Sequence, residues 1–149
     1  MNNRAAVAVV ALAMAFAASA VIAQSDPIAA RKALMKGNDD GAKVVVPMMR
    51  GRVPFDGAKV EPVFAQWAET ARKLPGLFPP GSETGGRTHA SPKVWQNKAD
   101  FDAKAADFGK AVADNRTQAA ASLDGLKAAV AAVGKACDNC HEDYRLSSR

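Results

Sequence analysis

The sequence predicts an all-α protein, an antiparallel four-helix bundle, on three observations. After the first 23 residues the chain is rich in Ala, Lys and Asp and has few runs of β-branched residues. Four segments carry apolar residues at steps of three and four, which is the spacing of one helix face. Pro and Gly cluster in a few places, and no alternating strand pattern occurs. Four amphipathic helices in sequence bury their apolar faces together in an antiparallel bundle.

The first 23 residues have the composition of a secretion signal. Arg4 supplies the positive charge, and the apolar run from Ala5 to Ala18 is too short for a comfortable membrane span. Cleavage after Ala23 would leave residues 24–149 as one domain, with cleavage after Ala20 as the alternative. Because no second apolar span follows, we expect an exported, soluble protein of the periplasm, with no membrane span after signal cleavage.

The charge pattern argues against binding to nucleic acid. The formal net charge of +5 becomes +4 when Arg4 is removed with the signal. The basic residues are scattered among acids, and no block of Lys and Arg occurs. No catalytic triad, phosphate-binding loop or carboxylate pair is recognisable, so we do not expect an enzyme.

The first helix is predicted from Pro27 to about Arg50, with Asp26 as its N-cap. Three of its inward positions are Arg, Met and Asn, where a packing seam would carry Leu or Ile. The inward positions are Ile28, Arg31, Met35, Asn38, Ala42, Val45 and Met49. We expect Pro47 to kink this helix or to end it early.

The middle of the chain is predicted as two helices with loops before and between them. A loop covers Gly51 to Gly57, and the second helix covers about Ala58 to Leu74. The connection from Pro75 to Ser91 is rich in Pro and Gly, and we expect no regular element in it. The third helix opens at Ser91-Pro92 and continues unbroken to about Ala119.

The last helix begins near Ser122 and has the most regular apolar seam of the chain. The seam consists of Leu123, Leu126, Val130, Val133, Cys137, Cys140 and Tyr144. Both cysteines therefore lie on the face that is directed towards the core, and Asp138 and Asn139 point outward.

These two cysteines belong to the stretch Cys137-Asp138-Asn139-Cys140-His141. The spacing Cys-x-x-Cys-His is typical of covalent attachment of a c-type haem. Residues three apart lie on one helix face, so both thiols can reach the vinyl groups on one edge of a porphyrin. The following histidine can then place its imidazole under the iron as the proximal ligand.

Three other interpretations of the cysteine pair fit less well. A thioredoxin-like redox pair would need a βαβ pattern, which is absent, and a zinc site would need further ligands besides the only other histidine, His89. A disulfide within one helical turn would close almost no loop and would stabilise the fold little. The histidine after the second cysteine favours haem c over all three.

With this motif on the last helix of a bundle, the chain resembles the class II c-type cytochromes, which are the cytochrome c′ family and its low-spin, methionine-ligated relatives. The resemblance covers Asp26 to Arg145. Its most specific parts are Cys137-x-x-Cys140-His141, Tyr144-Arg145, Arg31-x-x-x-Met35, Gly81-Ser82-Glu83 and Ser91-Pro92-Lys93-Val94-Trp95.

The resemblance implies one covalently attached haem c per chain, with thioethers at Cys137 and Cys140 and with His141 on the iron. Arg31 matches a family arginine near a haem propionate. The other matched positions are Ser82 and Glu83, beside the haem, and Arg145, near the proximal imidazole. Arg145 could equally be a solvated charge at the helix C-terminus.

The resemblance leaves the sixth position of the iron open. In the low-spin relatives a methionine of the first helix is the ligand, which here is Met35, and the protein carries single electrons between redox partner proteins. In cytochromes c′ the matching residue only packs over a five-coordinate, high-spin iron that binds nitric oxide or carbon monoxide. Met35 is followed by Lys36, as is common in the low-spin branch, whereas Gly81-Ser82-Glu83 is closer to cytochrome c′.

We expect an electron carrier with Met35 as ligand, and gas binding is the alternative. Met48 and Met49 lie about 20 Å further along the first helix, too far to reach the same iron. His89 lies in a Gly-rich loop and is expected on the surface. The resemblance also implies that a homodimer can form through the first two helices.

Overall fold

The computed structural model describes residues 26–147, so the predicted signal at residues 1–23 lies outside the described part. Within it, every regular element is helical. These are α1 (Pro27–Met49), α2 (Gly57–Lys73), a 3-10 turn (Leu74–Leu77), α3 (Lys93–Gln96), α4 (Lys98–Ala121) and α5 (Leu123–Tyr144). The described residues contain no strand beyond a single β-bridge between Ala90 and Arg145, and none of their helices has the length and apolarity to cross a membrane.

The four long helices form the bundle. Arg116, late in α4, pairs with Glu61, early in α2, at 2.8 Å, and Lys104, early in α4, pairs with Asp143, late in α5, at 2.7 Å. Both pairs join the start of one helix to the end of another, so these neighbours are antiparallel. The most extensive contact is between α4 and α5, followed by α2 with α4 and α1 with α2, whereas α1 touches α5 only slightly. The predicted four-helix bundle is confirmed.

Side-chain caps fix three helix starts where the sequence predicts them, to within one residue. The side chains of Asp26, Asp56 and Ser122 each accept a hydrogen bond from a backbone N–H of the first turn that follows. Such a cap satisfies a donor that would otherwise lack a partner and contributes about 1 kcal/mol.

The third helix is not continuous, and the prediction of an unbroken helix from Pro92 was wrong. Asn97 leaves the helical conformation, with φ −134° and ψ 55°, and separates the short α3 from α4. Its carbonyl accepts from the Phe101 N–H at 3.1 Å and lies 3.4 Å from the Tyr144 hydroxyl of α5. The break is thus tied to a contact between helices, and an asparagine in the sequence does not signal it as a proline would.

Two other local expectations need correction. Helix α1 runs through Pro47 to Met49 and does not end early, because the proline lies in its last turn, close to where the helix stops. The connection after α2 begins with the 3-10 turn Leu74–Leu77, although Pro75 and Gly76 suggested no regular structure there.

The hydrophobic core is divided into two clusters. The larger one is formed by Val45, Met48, Val60, Val63, Phe64, Trp67, Phe108, Val112, Ala119, Leu126, Ala129 and Val133. The smaller one is formed by Leu74, Phe78, Val94, Phe101 and Tyr144. Met48 belongs to the larger cluster, whereas the sequence placed Met49 on the inward seam.

Candidate haem-attachment site

Helix α5 presents both cysteines half-buried on its inward face, as the seam predicts. Leu126, Val133 and Tyr144 of the same seam are buried, and Asp138 and Asn139 between the cysteines are exposed. An uninterrupted helix that begins at the Ser122 cap carries this face from the bundle end to the motif.

The two cysteines contact different halves of the core. Cys137 packs against the larger cluster, and Cys140 packs against the smaller one. The motif therefore lies where the apolar core divides into its two clusters. Two thiols on one half-buried helix face, each packed on a different cluster, fit a flat apolar group that is attached through both sulfurs.

Burial favours the protonated form of both thiols. It raises the pKa of Cys137 to about 11, with smaller contributions from Asp138 and Cys140. Burial also raises the pKa of Cys140, although the Lys104 ammonium acts in the opposite direction. Reactive redox cysteines have lowered pKa values, so this environment does not suit a thioredoxin-like pair.

Two further observations bear on the zinc interpretation and on His141. Within residues 26–147, no group of three or more His, Cys, Asp or Glu side chains is arranged to hold a metal ion. His141 is half-buried, and its pKa is lowered by burial and by the nearby charge of Arg145, while Asp138 acts in the opposite direction. A neutral imidazole is the form that binds iron, so both effects favour the role of a ligand.

His141 also borders an open cleft of about 410 Å³. The cleft is lined by Asp138, His141, Glu142, Arg145, Leu146 and Ser147. Arg145 is exposed and follows the end of α5, where its backbone N–H donates to the His141 carbonyl at 3.2 Å.

Arg31 is buried in α1, with 4% of its surface exposed. Its two terminal nitrogens make four hydrogen bonds, all to neutral oxygens of the segment from Leu77 to Thr88. They reach the carbonyl and hydroxyl of Ser82, the carbonyl of Leu77 and the hydroxyl of Thr88, at 2.7 to 3.1 Å. The guanidinium also lies over the rings of Phe78 and Trp95, at 4.7 and 5.6 Å.

The sequence suggested an anionic partner for Arg31, and the described residues supply only distant ones. None of their carboxylates lies within 4 Å of the guanidinium, although Asp26 and Glu83 act on it through space. Burial accordingly lowers the pKa of Arg31. A buried cation that holds only neutral oxygens fits an anionic group such as a carboxylate of a bound cofactor.

Ser82 and Glu83, which the sequence analysis placed beside the haem, act on Arg31 in different ways. Ser82 is buried, and it accepts from Arg31 while its hydroxyl donates to the Pro79 carbonyl at 2.8 Å. Glu83 is half-buried and acts on Arg31 only through its charge. Thr88 also holds Arg31, and sequence reasoning missed it because nothing in the chain links two residues 57 positions apart.

Met35 is half-buried on α1 and packs against the smaller core cluster, which also contacts Cys140. It lies one turn after Arg31, and Leu34 packs on the same cluster. His89 is exposed, as predicted, and its carbonyl accepts from the Leu146 N–H at 2.8 Å. This bond and the Ala90–Arg145 bridge attach the long loop to the end of α5.

Three hydrogen bonds between α4 and α5 were not predicted. The Tyr144 hydroxyl donates to the Asp100 carboxylate at 2.6 Å, and Lys104 donates to Asp143 at 2.7 Å and to the Asn139 carbonyl at 3.1 Å. All three depend on how the two helices are placed side by side, which the spacing within one helix does not reveal.

Comparisons with known proteins identify relatives of the whole described part of the chain. A family model described as Cytochrome C′ matches residues 26–145. A cytochrome c-556 from Rhodopseudomonas palustris is 40% identical over 141 residues, which cover 92% of this chain and 94% of that protein. A cytochrome c′ from the same organism is 39% identical over 127 residues, which cover 83% of this chain and 84% of that protein.

The fold also matches a solved structure. The structure of cytochrome c′ from Rhodopseudomonas palustris superimposes with a TM-score of 0.79 at 37% identity, covering 85% of this chain and 100% of that one. Sequence and fold thus agree over nearly the whole of the described part.

Proposed function

This chain belongs to the cytochrome c′ family and carries covalently bound haem c, and we propose that it is an exported electron carrier with His141 and Met35 as axial ligands. When bound, the haem supplies an iron that accepts and releases one electron. The residues decide how that iron is held, what shields it and which charges surround it.

Cys137 and Cys140 hold the haem through two thioethers, and His141 is its proximal ligand. Their placement on one half-buried face of α5 supports these roles, as does the lowered pKa of His141. Arg31 receives a propionate, since its charge is buried and its described hydrogen bonds go only to neutral oxygens. Ser82 orients the guanidinium, and Glu83 and Arg145 adjust the charge around the site.

The single observation that carries the ligand assignment is that Met35 and Cys140 pack on the same apolar cluster from different helices. A side chain that meets this cluster from α1 would face the haem from a helix other than the one that carries His141. A soft thioether in that position suits haem iron, and a His/Met pair is typical of cytochromes that transfer electrons.

Gas binding is the second candidate function. Here Met35 would only fill space beside Leu34 in the apolar cluster, as methionine often does. The iron would then be five-coordinate and high-spin and would bind nitric oxide or carbon monoxide. The similarity to a cytochrome c′, which is nearly as high as that to a cytochrome c-556, favours keeping this candidate.

The test compares the haem-loaded wild type with Met35→Ala, and uses Met49→Ala as the matched control on the same helix. We expect a low-spin spectrum and no reaction with carbon monoxide for the wild type and for the control. Met35→Ala should become high-spin and bind carbon monoxide. A wild type that binds carbon monoxide readily, or an unchanged low-spin spectrum in Met35→Ala, would contradict ligation.

We also propose that residues 1–23 direct the chain to the periplasm, where partner proteins of unknown identity exchange electrons with it. The mature protein purified from the periplasmic fraction should begin at Gln24. Recovery of the full-length chain from the cytoplasm would contradict export.

A further inference from the structure

Helix α4 places a lysine against the attachment motif. Lys104 Nζ donates to Asp143 at 2.7 Å and to the backbone carbonyl of Asn139 at 3.1 Å. Because Asn139 lies between the two attachment cysteines, the ammonium is anchored on the motif itself. The Lys104 side chain is 25% exposed, which is the lowest value among the lysines that form ion pairs in residues 26–147.

The ammonium lies next to Cys140, because Asn139, whose carbonyl it contacts, directly precedes that cysteine in the chain. Its positive charge and the negative charge of Asp143 act on the Cys140 sulfur in opposite directions. Two hydrogen bonds hold the ammonium in place, so its field has a fixed direction. Partial burial also leaves it less screened than the exposed lysines elsewhere on the helices.

We propose that Lys104 raises the reduction potential of the haem by holding a fixed positive charge beside the Cys140 attachment point, and that Asp143 lowers it as the counter-charge. Reduction adds one electron to the attached group, and a nearby cation stabilises that added negative charge. The inference rests on haem attachment at Cys140 and not on Met35 as a ligand, so it holds for either candidate function.

The alternative is that Lys104 and Asp143 only join α4 to α5. The two interpretations predict different signs for the shifts in reduction potential. If the pair is purely structural, removing either partner breaks the same link, and the reduction potential shifts in the same direction in both variants. If the charges act on the haem, Lys104→Met and Asp143→Asn shift the potential in opposite directions.

The experiment measures the reduction potential of haem-loaded protein at low ionic strength for the wild type, Lys104→Met and Asp143→Asn. The matched control is Lys110→Met, because Lys110 lies on the same helix but is 73% exposed and pairs with Asp114 of its own helix. At a fixed applied potential, we expect the ratio of reduced to oxidised protein to fall several-fold in Lys104→Met. It should rise in Asp143→Asn and stay constant in Lys110→Met.

Shifts of the same sign in the two test variants, or a Lys104→Met potential equal to that of the wild type, would overturn the proposal. If Lys104→Met fails to take up haem, the Asp143→Asn variant alone tests the proposal. A reduction potential at or below that of the wild type would then show that Asp143 does not lower it. Haem content per chain and carbon monoxide binding are measured on the same samples. Failure of the proposed axial ligation is therefore detected separately.

Discussion

Tyr144 illustrates how one side chain joins α5 to the rest of the bundle. The residue is 5% exposed, and its ring meets the ring of Phe101 edge to face, with the centroids 5.3 Å apart. Its hydroxyl donates to Asp100 at 2.6 Å. The carboxylate, together with burial, raises the pKa of Tyr144 to about 12, because both favour the protonated phenol.

This shift gives a prediction for the pH dependence of stability. The folded state favours the protonated phenol, so the contribution of Tyr144 is complete below about pH 10 and is lost as the pH rises towards 12. Tyr144 is the only tyrosine of the chain, so the tyrosinate absorbance of the folded protein reports on it alone, with Tyr144→Phe as the blank. We expect a titration midpoint near 12.

Asp100→Asn provides the control for this titration. It removes the charged acceptor, so the midpoint should move down towards the ordinary tyrosine value of about 10. A wild-type midpoint that already lies near 10 would show that the hydrogen bond between Tyr144 and Asp100 does not form.

The residues of the site differ in how far the sequence could predict them. The inward position of Arg31 follows from helix periodicity, and the motif at Cys137, Cys140 and His141 is recognisable from its spacing alone. Thr88 and Lys104 carry no such signal, because their role depends on helices and loops that meet only in the folded chain. Spacing along the sequence identifies the residues on one face of a helix, but not the residues that another helix or loop places against that face.

At the level of elements, two glycines of α5 differ in the space that a side chain would find there. A Cβ at Gly125 would lie 2.1 Å from the Gln118 carbonyl oxygen, so α4 and α5 approach there too closely for any side chain. A Cβ at Gly134 would meet nothing within 4 Å. The first glycine is required by the turn between the helices, and the second is replaceable.

We therefore predict opposite effects of the same substitution in one helix. Gly125→Ala should lower the free energy of unfolding by about 1–3 kcal/mol, since backbone must shift to admit the methyl group. Gly134→Ala should raise it by about 0.5–1 kcal/mol through the higher helix propensity of alanine. Urea unfolding of the two haem-loaded variants and the wild type measures both effects, and equal midpoints would contradict the helix contact at Gly125.

Helix starts and faces could be predicted because caps and apolar spacing are local properties. Asp26 and Ser122 mark the beginnings of α1 and α5, and the cysteines lie on the predicted face. The break at Asn97 could not be predicted, because the Tyr144 hydroxyl that approaches its carbonyl comes from another helix. Pro47 had less effect than expected because it lies in the last turn of α1.

At the scale of the whole molecule, we predict that the chain associates with a second copy of itself. Val44 of α1 is 38% exposed, and Val53, in the loop before α2, is 43% exposed. We expect a homodimer that buries these side chains, in line with pairing through the first two helices. Light scattering after size exclusion should show twice the chain mass for the wild type.

The matched variants for this prediction are Val44→Glu and Leu146→Glu. Val44→Glu should give a monomer, because a buried unpaired carboxylate is costly. Leu146 is exposed as well, at 47%, but follows α5, so its substitution should leave the dimer intact. A wild type that remains monomeric at high concentration would refute the prediction.

The two clusters of the core meet at the proposed attachment site. One cluster contacts Cys137 and the other contacts Cys140, while α1 and α5 barely touch. A group attached to both sulfurs would contact both apolar clusters at once. The covalent link is therefore the central claim, and its consequences extend from the motif to the pairing of the helices.

The intact mass of the denatured mature protein, made in cells equipped for cytochrome c maturation, tests this claim most directly. We predict the mass of residues 24–149 plus one haem, retained after denaturation because two thioethers hold it. Cys137→Ala should retain the haem through one bond at most, and the double variant with Cys140→Ala should lose it on denaturation. A colourless wild-type protein with the polypeptide mass alone and two free thiols would contradict the account.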